Sequence, residues 1–174
     1  MLATHQDAER RYNEIRKTAL RVIASQVSQG LSLSFKLIDE SALKASKLWA
    51  LSSDRLVDWD WVNGYGSFKF RYPKRFELAL WHKNELVSLS LGRPTYAGTS
   101  LRLDVIEKNP DENELKVFPA VIAAMAVYAT ALSASEIRVM NPINDIVKNY
   151  YTKEGFTFVA KGNYLYKKLS GLTL

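Results

Sequence analysis

Asn141-Pro142-Ile143-Asn144-Asp145-Ile146-Val147-Lys148-Asn149-Tyr150-Tyr151-Thr152-Lys153-Glu154-Gly155-Phe156 is the stretch whose reading decides the fold. Asn144 is a natural helix N-cap, because its short side chain reaches a free backbone N–H of the first turn. Ile146, Val147 and Tyr150 then fall on one side of a helix over 144–153. Gly155 stands where that helix must stop, in a left-handed conformation that costs glycine little. Phe156 follows at once and starts a strand by packing back into the core.

The neighbouring segments extend the pattern in both directions. Alternating residues predict strands over 136–140, 157–160 and 164–169, and the long apolar run 117–134 predicts a buried helix near 116–133. Further back, 76–82 and 86–91 read as a hairpin around Lys83-Asn84-Glu85, followed by a strand over 101–106. Residues 31–38 alternate as a strand, and Asp39 or Ser41 caps a helix reaching about Leu51. A short helix over 53–61 and a turn or loop at Asn63-Gly64-Tyr65-Gly66 are expected next. In front, Ala8, Tyr12, Ile15, Ala19, Val22 and Ile23 form one apolar stripe of a helix over 6–29, with Gly30 as its stop. The order is α, β, α, α, β, β, β, α, β, α, β, β. An α/β chain with a mixed central sheet follows, an antiparallel meander joined to a β-α-β end.

Asn144, Val147, Tyr150, Tyr151, Lys153, Gly155 and Phe156 stand in the register of the signature of the GCN5-related N-acetyltransferases, the GNAT superfamily, which this stretch resembles. The hairpin at 76–91, the strand at 101–106, the long helix and the strand at 136–140 fall in that family's order and spacing. The resemblance covers roughly 31–169, so the chain divides into an N-terminal amphipathic helix, 1–30, and a GNAT-like domain, 31–174.

The resemblance implies direct acyl transfer from a thioester cofactor, acetyl-CoA or another acyl-CoA, to an amine acceptor. The family splays the strands corresponding to 101–106 and 136–140, and the pantetheine arm lies between them, which puts Asp104 and Val105 beside the cofactor. Tyr151 matches the tyrosine that protonates the departing thiolate, with Tyr150 as its competitor and a core tyrosine as the plain alternative. General-acid help of that kind is worth about 10²–10⁴-fold. Asn144 would contact the cofactor near the same strand end, or serve only as a helix cap.

One loop departs from the pattern. The family holds the pyrophosphate on a glycine-rich loop and the N-terminus of the long helix, where free N–H groups meet the anion. The corresponding residues 109–117 contain no glycine, carry Asp111, Glu112 and Glu114, and offer only Lys116 to a phosphate. Three readings stay open. The chain binds a CoA thioester through Lys116 and backbone amides, takes a donor such as an acyl carrier protein or aminoacyl-tRNA, or has lost catalysis and become a binding domain. No general base stands out, although Asp104 and Glu107 lie on or just after one strand, and an amine can lose its proton to water.

Charge supplies the alternative function. The 174 residues include 24 Lys+Arg and 18 Asp+Glu, a net charge of +6. Such an excess suits a nucleic acid or an acidic protein, or simply solubility. Phe68-Lys69-Phe70-Arg71-Tyr72-Pro73-Lys74-Arg75 interleaves aromatic and basic residues without an acid. It reads either as an edge strand or as a nucleic-acid surface built on Lys69, Arg71, Lys74 and Arg75. Arg10, Arg11, Arg16 and Lys17 add charge on the first helix, which also reads as a plain solvated face.

The chain has no cysteine, which excludes disulfides, thiolate metal sites and thiol nucleophiles. With His5 and His82 as its only histidines, no metal centre is expected. No signal sequence or membrane span is read, so a cytoplasmic protein is expected. Trp59 and Trp61 flank Asp60 near the family's substrate loop and are candidates for an acceptor pocket.

Overall fold

In the computed structural model, which describes residues 4–27 and 32–171, the sheet is mixed as the alternation of the sequence requires. The elements are α1 (His5–Val27), β1 (Leu33–Lys36), α2 (Glu40–Ser46), α3 (Trp61–Arg71), β2 (Phe76–His82), β3 (Glu85–Pro94), β4 (Ser100–Lys108), α4 (Val117–Ala131), β5 (Glu136–Met140), α5 (Asp145–Lys153), β6 (Thr157–Val159) and β7 (Tyr164–Lys168). A 3₁₀ turn, Lys47–Leu51, continues α2. The strands lie in the order β1-β2-β3-β4-β5-β7-β6. Every pair is antiparallel except β4 and β5, which run parallel.

Alternation along the strands builds a core on each face. Phe76, Leu78 and Leu80 of β2, with Leu101 and Leu103 of β4, pack under α4. Ala79 of β2, with Leu89 and Leu91 of β3, packs with Trp61 and Tyr65 of α3. Helix α4 is apolar on nearly every side, because α1 covers what the sheet does not. Ala19, Leu20 and Ile23 of α1 belong to the same cluster as α4. Gly30, read as the stop of α1, lies outside the described residues.

The segment 52–75 differs from the expectation. The short helix over 53–61 is absent; residues 56–60 run without regular structure, and Asn63-Gly64-Tyr65-Gly66 lies inside α3. Asp60 caps that helix, accepting from the Asn63 N–H at 3.0 Å, while Trp61, Tyr65 and Phe68 form its inward stripe. Gly64 is there for close approach: a Cβ would lie 2.8 Å from the Trp59 ring. Residues 68–71 are therefore the end of a helix and not an edge strand, and Tyr72 before Pro73 ends it.

Candidate functional site: a cleft where two parallel strands part

Strands β4 and β5 pair only from Ser100 to Leu103 against Glu136 to Val139. Beyond that point they diverge, so backbone groups of β4 that face β5 lose their ladder partners. The parting starts at a bulge: Leu91 opposes Val105 but Gly92 opposes Leu103, leaving Asp104 as the extra residue of β4. Gly92 makes the bulge feasible, since a Cβ there would sit 2.2 Å from the Arg102 carbonyl oxygen. On the other side, Asn141 leaves β5 at φ 46° and turns the chain toward α5.

Between the parted strands lies a cleft of about 750 Å³, within the range of small-molecule sites. Its walls are the C-terminal half of β4, the end of β5, one face of α5, the start of α4 and the segment 54–59. Val105, Phe118, Val139, Ile146, Tyr150 and Tyr151 give it an apolar body. Asp54, Asp58, Asp104, Glu107 and Glu112 reach it against a single lysine, Lys108.

Tyr151 is held by the motif that decides the fold. Asn144 caps α5 by accepting from the Val147 N–H at 2.9 Å. Gly155, at φ 87°, lets the Phe156 N–H return to the Tyr151 carbonyl at 3.1 Å. The Tyr151 ring stacks on Phe118 at 4.4 Å and 28°. Burial, and secondarily the neighbouring Tyr150, push its phenol up to about 12. Tyr150 also lines the cleft but is only half-buried; burial first and the Glu154 charge second raise its pKa.

The remaining candidates separate. Asp104 and Val105 line the cleft. Asp104 is ion-paired to Arg102 at 2.6 Å and Arg93 at 3.3 Å, yet burial outweighs both and raises its pKa. Asn144 and Lys116 are exposed and do not line it; Asn144 spends its side-chain oxygen on the cap, and Lys116 is the uncapped start of α4. Glu107 is buried under a fully used set of partners: the Arg55 guanidinium at 2.6 and 3.1 Å and the Trp61 indole N–H at 2.6 Å. Trp61 thus lies beneath the cleft, while Trp59, edge-on to it at 4.6 Å, lines it. The role of Arg55 was not legible in the sequence, where it is one charge in a polar loop.

The loop before α4 folds around its own carboxylate. One oxygen of Glu112 accepts from the N–H groups of Glu114 and Leu115, both at 2.9 Å. These bonds, Leu115 first, hold the Glu112 carboxyl below its usual range. Pro119 removes a further donor from the first turn of α4.

Three of the four basic residues of 69–75 reach the surface and one does not. Lys69, Arg71 and Lys74 are exposed. Arg75 is 1% exposed and bonded to Glu9 and Glu77, so it is withdrawn from any surface, as is Arg16 at 2%. No group of three His, Asp or Glu side chains placed for a metal occurs among the described residues, and none of their helices is long and apolar enough to cross a membrane.

No protein-family model matches this chain, and no curated protein sequence does. Solved structures match its fold. Ard1 from Thermoplasma volcanium superimposes with a TM-score of 0.63 at 13% identity, covering 79% of this chain and 98% of that one. An acetyltransferase of the GNAT family from Staphylococcus aureus Mu50 gives 0.63 at 11% identity, covering 79% and 99%. The ribosomal-protein-S18-alanine N-acetyltransferase of Escherichia coli gives 0.58 at 10%, covering 82% and 99%. The chain has a GNAT-like fold. Its likeness to acetyltransferases is at the level of that superfamily's architecture.

Proposed function

We propose that this protein is an acyltransferase that moves an acyl group from a thioester to an amine, the two meeting in the cleft between β4 and β5. The observation that carries the reading is Tyr151, a buried phenol on the cleft wall with no hydrogen bond contributing to its pKa. The amine nitrogen attacks the thioester carbonyl, the carbon–sulfur bond breaks, and the sulfur takes up a proton. With its pKa pushed up to about 12, Tyr151 carries its proton near neutral pH and so donates it to that sulfur. Thiols titrate near about 8.5 in water, so full transfer from this phenol is uphill there. Desolvation in the same cleft raises the sulfur's own proton affinity and narrows the gap. Unpaired backbone N–H groups of β4 beyond Leu103 are available to the acyl carbonyl. Asp54 and Asp58, cleft carboxylates with no ion pair among the described residues, favour an amine acceptor, and Asp104 is the wall carboxylate whose raised pKa suits it to take the amine's proton.

A coenzyme A thioester fits in part. The apolar body of the cleft suits the acyl group and a pantetheine arm. The start of α4 does not suit a diphosphate, because Glu112 fills two amides, Pro119 lacks one, and the added charge is negative. The donor is accordingly recognised through its thioester arm.

Calorimetric titration tests this. Acetyl-CoA and S-acetyl-pantetheine should bind within about tenfold of each other, a difference of about 1.4 kcal/mol. A hundredfold preference for acetyl-CoA would restore a diphosphate site. No heat from either at millimolar ligand would end the acyltransferase reading and leave a GNAT-like binding domain.

A further inference from the structure

We propose that the face made by the first half of α1 and the end of α3 binds single-stranded nucleic acid. Segments far apart in sequence are fastened there into one surface. The His5 ring stacks on Phe70 at 4.7 Å and bonds its backbone oxygen. Glu9 bridges the buried Arg16 and Arg75, at 2.8 Å to each. Lys74 and Arg11 both lie over the Tyr12 ring, at 5.4 and 5.7 Å.

This fastening sorts the cations. Arg16 and Arg75 are consumed inside, whereas Arg11, Lys69, Arg71 and Lys74 stay exposed. None of these four has a carboxylate within ion-pair distance among the described residues. The nearby acids are engaged elsewhere: Asp7 with Thr4 and Arg10, Glu14 with Lys17, and Glu9 with the buried arginines. Four unpaired cations draw a polyanion. Phe70 specifies which polyanion. It is 72% exposed although His5 covers one side of its ring, leaving an aromatic surface among cations. Unpaired bases can stack on such a ring while their phosphates meet the lysines and arginines. A polyanion without rings gains nothing from it. The surface is separate from the cleft, since α3 starts beside the cleft at Trp61 and spans about 16 Å.

Fluorescence anisotropy with a labelled single-stranded RNA of about 16 nucleotides tests the proposal over a range of salt. Binding should weaken linearly in log–log form as salt rises. The Lys69→Ala/Arg71→Ala/Lys74→Ala variant should lower that slope by about two, at about 0.7 per lost phosphate contact. Phe70→Ala should weaken binding about tenfold with the slope unchanged, and Phe70→Trp should restore it. Lys161→Ala/Lys168→Ala, which removes as exposed a pair of charges elsewhere, should leave binding intact. Circular dichroism melts confirm that each variant is folded. Absence of binding at low salt, an unchanged slope in the triple variant, or heparin binding as tightly as RNA with Phe70→Ala without effect would each overturn the proposal. Donor binding and turnover in the cleft are read separately, so failure here leaves the acyltransferase reading standing, and the reverse.

Discussion

Tyr150 and Tyr151 both reach the cleft, and their surroundings differ enough to predict different effects on substitution. Tyr151 is the more buried and stacks on Phe118, so its hydroxyl is held in one place. Tyr151→Phe should lower turnover by about a hundredfold or more with donor affinity unchanged, whereas Tyr150→Phe should retain most activity. Steady-state kinetics with calorimetry separates the two; equal losses would remove the distinction. Glu112 offers a second test. Glu112→Ala frees two backbone N–H groups and removes a charge at the start of α4. Acetyl-CoA affinity should rise about fivefold, while S-acetyl-pantetheine affinity stays the same. A gain for both ligands would mean that the loop acts on the cleft and not on the diphosphate.

The helix α3 shows how one element serves the site. Gly64 and Gly66 sit two positions apart in it, and alanine at either should favour the helix by about 1 kcal/mol on propensity alone. Packing reverses that at one of them. A Cβ at Gly64 meets the Trp59 ring at 2.8 Å, whereas Gly66 has no neighbour within 4 Å. Gly66→Ala should therefore raise the melting temperature, and Gly64→Ala should lower it and change the tryptophan emission as Trp59 is pushed into the cleft. The same pair of glycines explains why residues 63–66 read as a turn or loop in the sequence: Asn-Gly-Tyr-Gly carries strong local turn signals. The Asp60 cap, the buried stripe of Trp61, Tyr65 and Phe68, and Trp59 packed against Gly64 favour a helix there. The hairpin was legible because Lys83 and Asn84, at φ 47° and 68°, supply the two positive angles that a tight connection needs.

Across the molecule, a buried charge network ties α1 to the sheet. Arg16, Arg75, Glu77 and the Tyr65 hydroxyl meet inside it, and Glu9 closes it from α1. Removing one member leaves others charged and unpaired. Glu9→Gln should cost about 3 kcal/mol, the low end for a broken buried pair, because 23% of the Glu9 side chain still meets water. The pH dependence follows from the direction of its shift. Burial opposes ionisation, but the Arg75 hydrogen bond and the Arg75 and Arg16 charges outweigh it and hold Glu9 below its ordinary 4.5. The folded-state value is the lower one. The stabilisation is therefore complete above about pH 4.5 and is lost as pH falls through the depressed value. Urea unfolding at a series of pH values should show the parent losing its advantage over Glu9→Gln below that point; parallel curves would place the dependence elsewhere.

Strand alternation, helix periodicity and the Asn144–Phe156 motif determined the element order and the mixed sheet, because these depend on neighbours a few positions apart. The place of Tyr151 on α5 was legible for the same reason, as part of a local cap-helix-glycine pattern. Tertiary structure alone decided which charges are available. Arg75 and Arg71 look alike in sequence, but one is sealed against Glu9 and Glu77 and the other faces water. Glu112 likewise reads as an acidic loop residue until its oxygen is found on two amides. Burial and pairing join residues tens of positions apart, and no local pattern encodes which of several like charges will be taken inside.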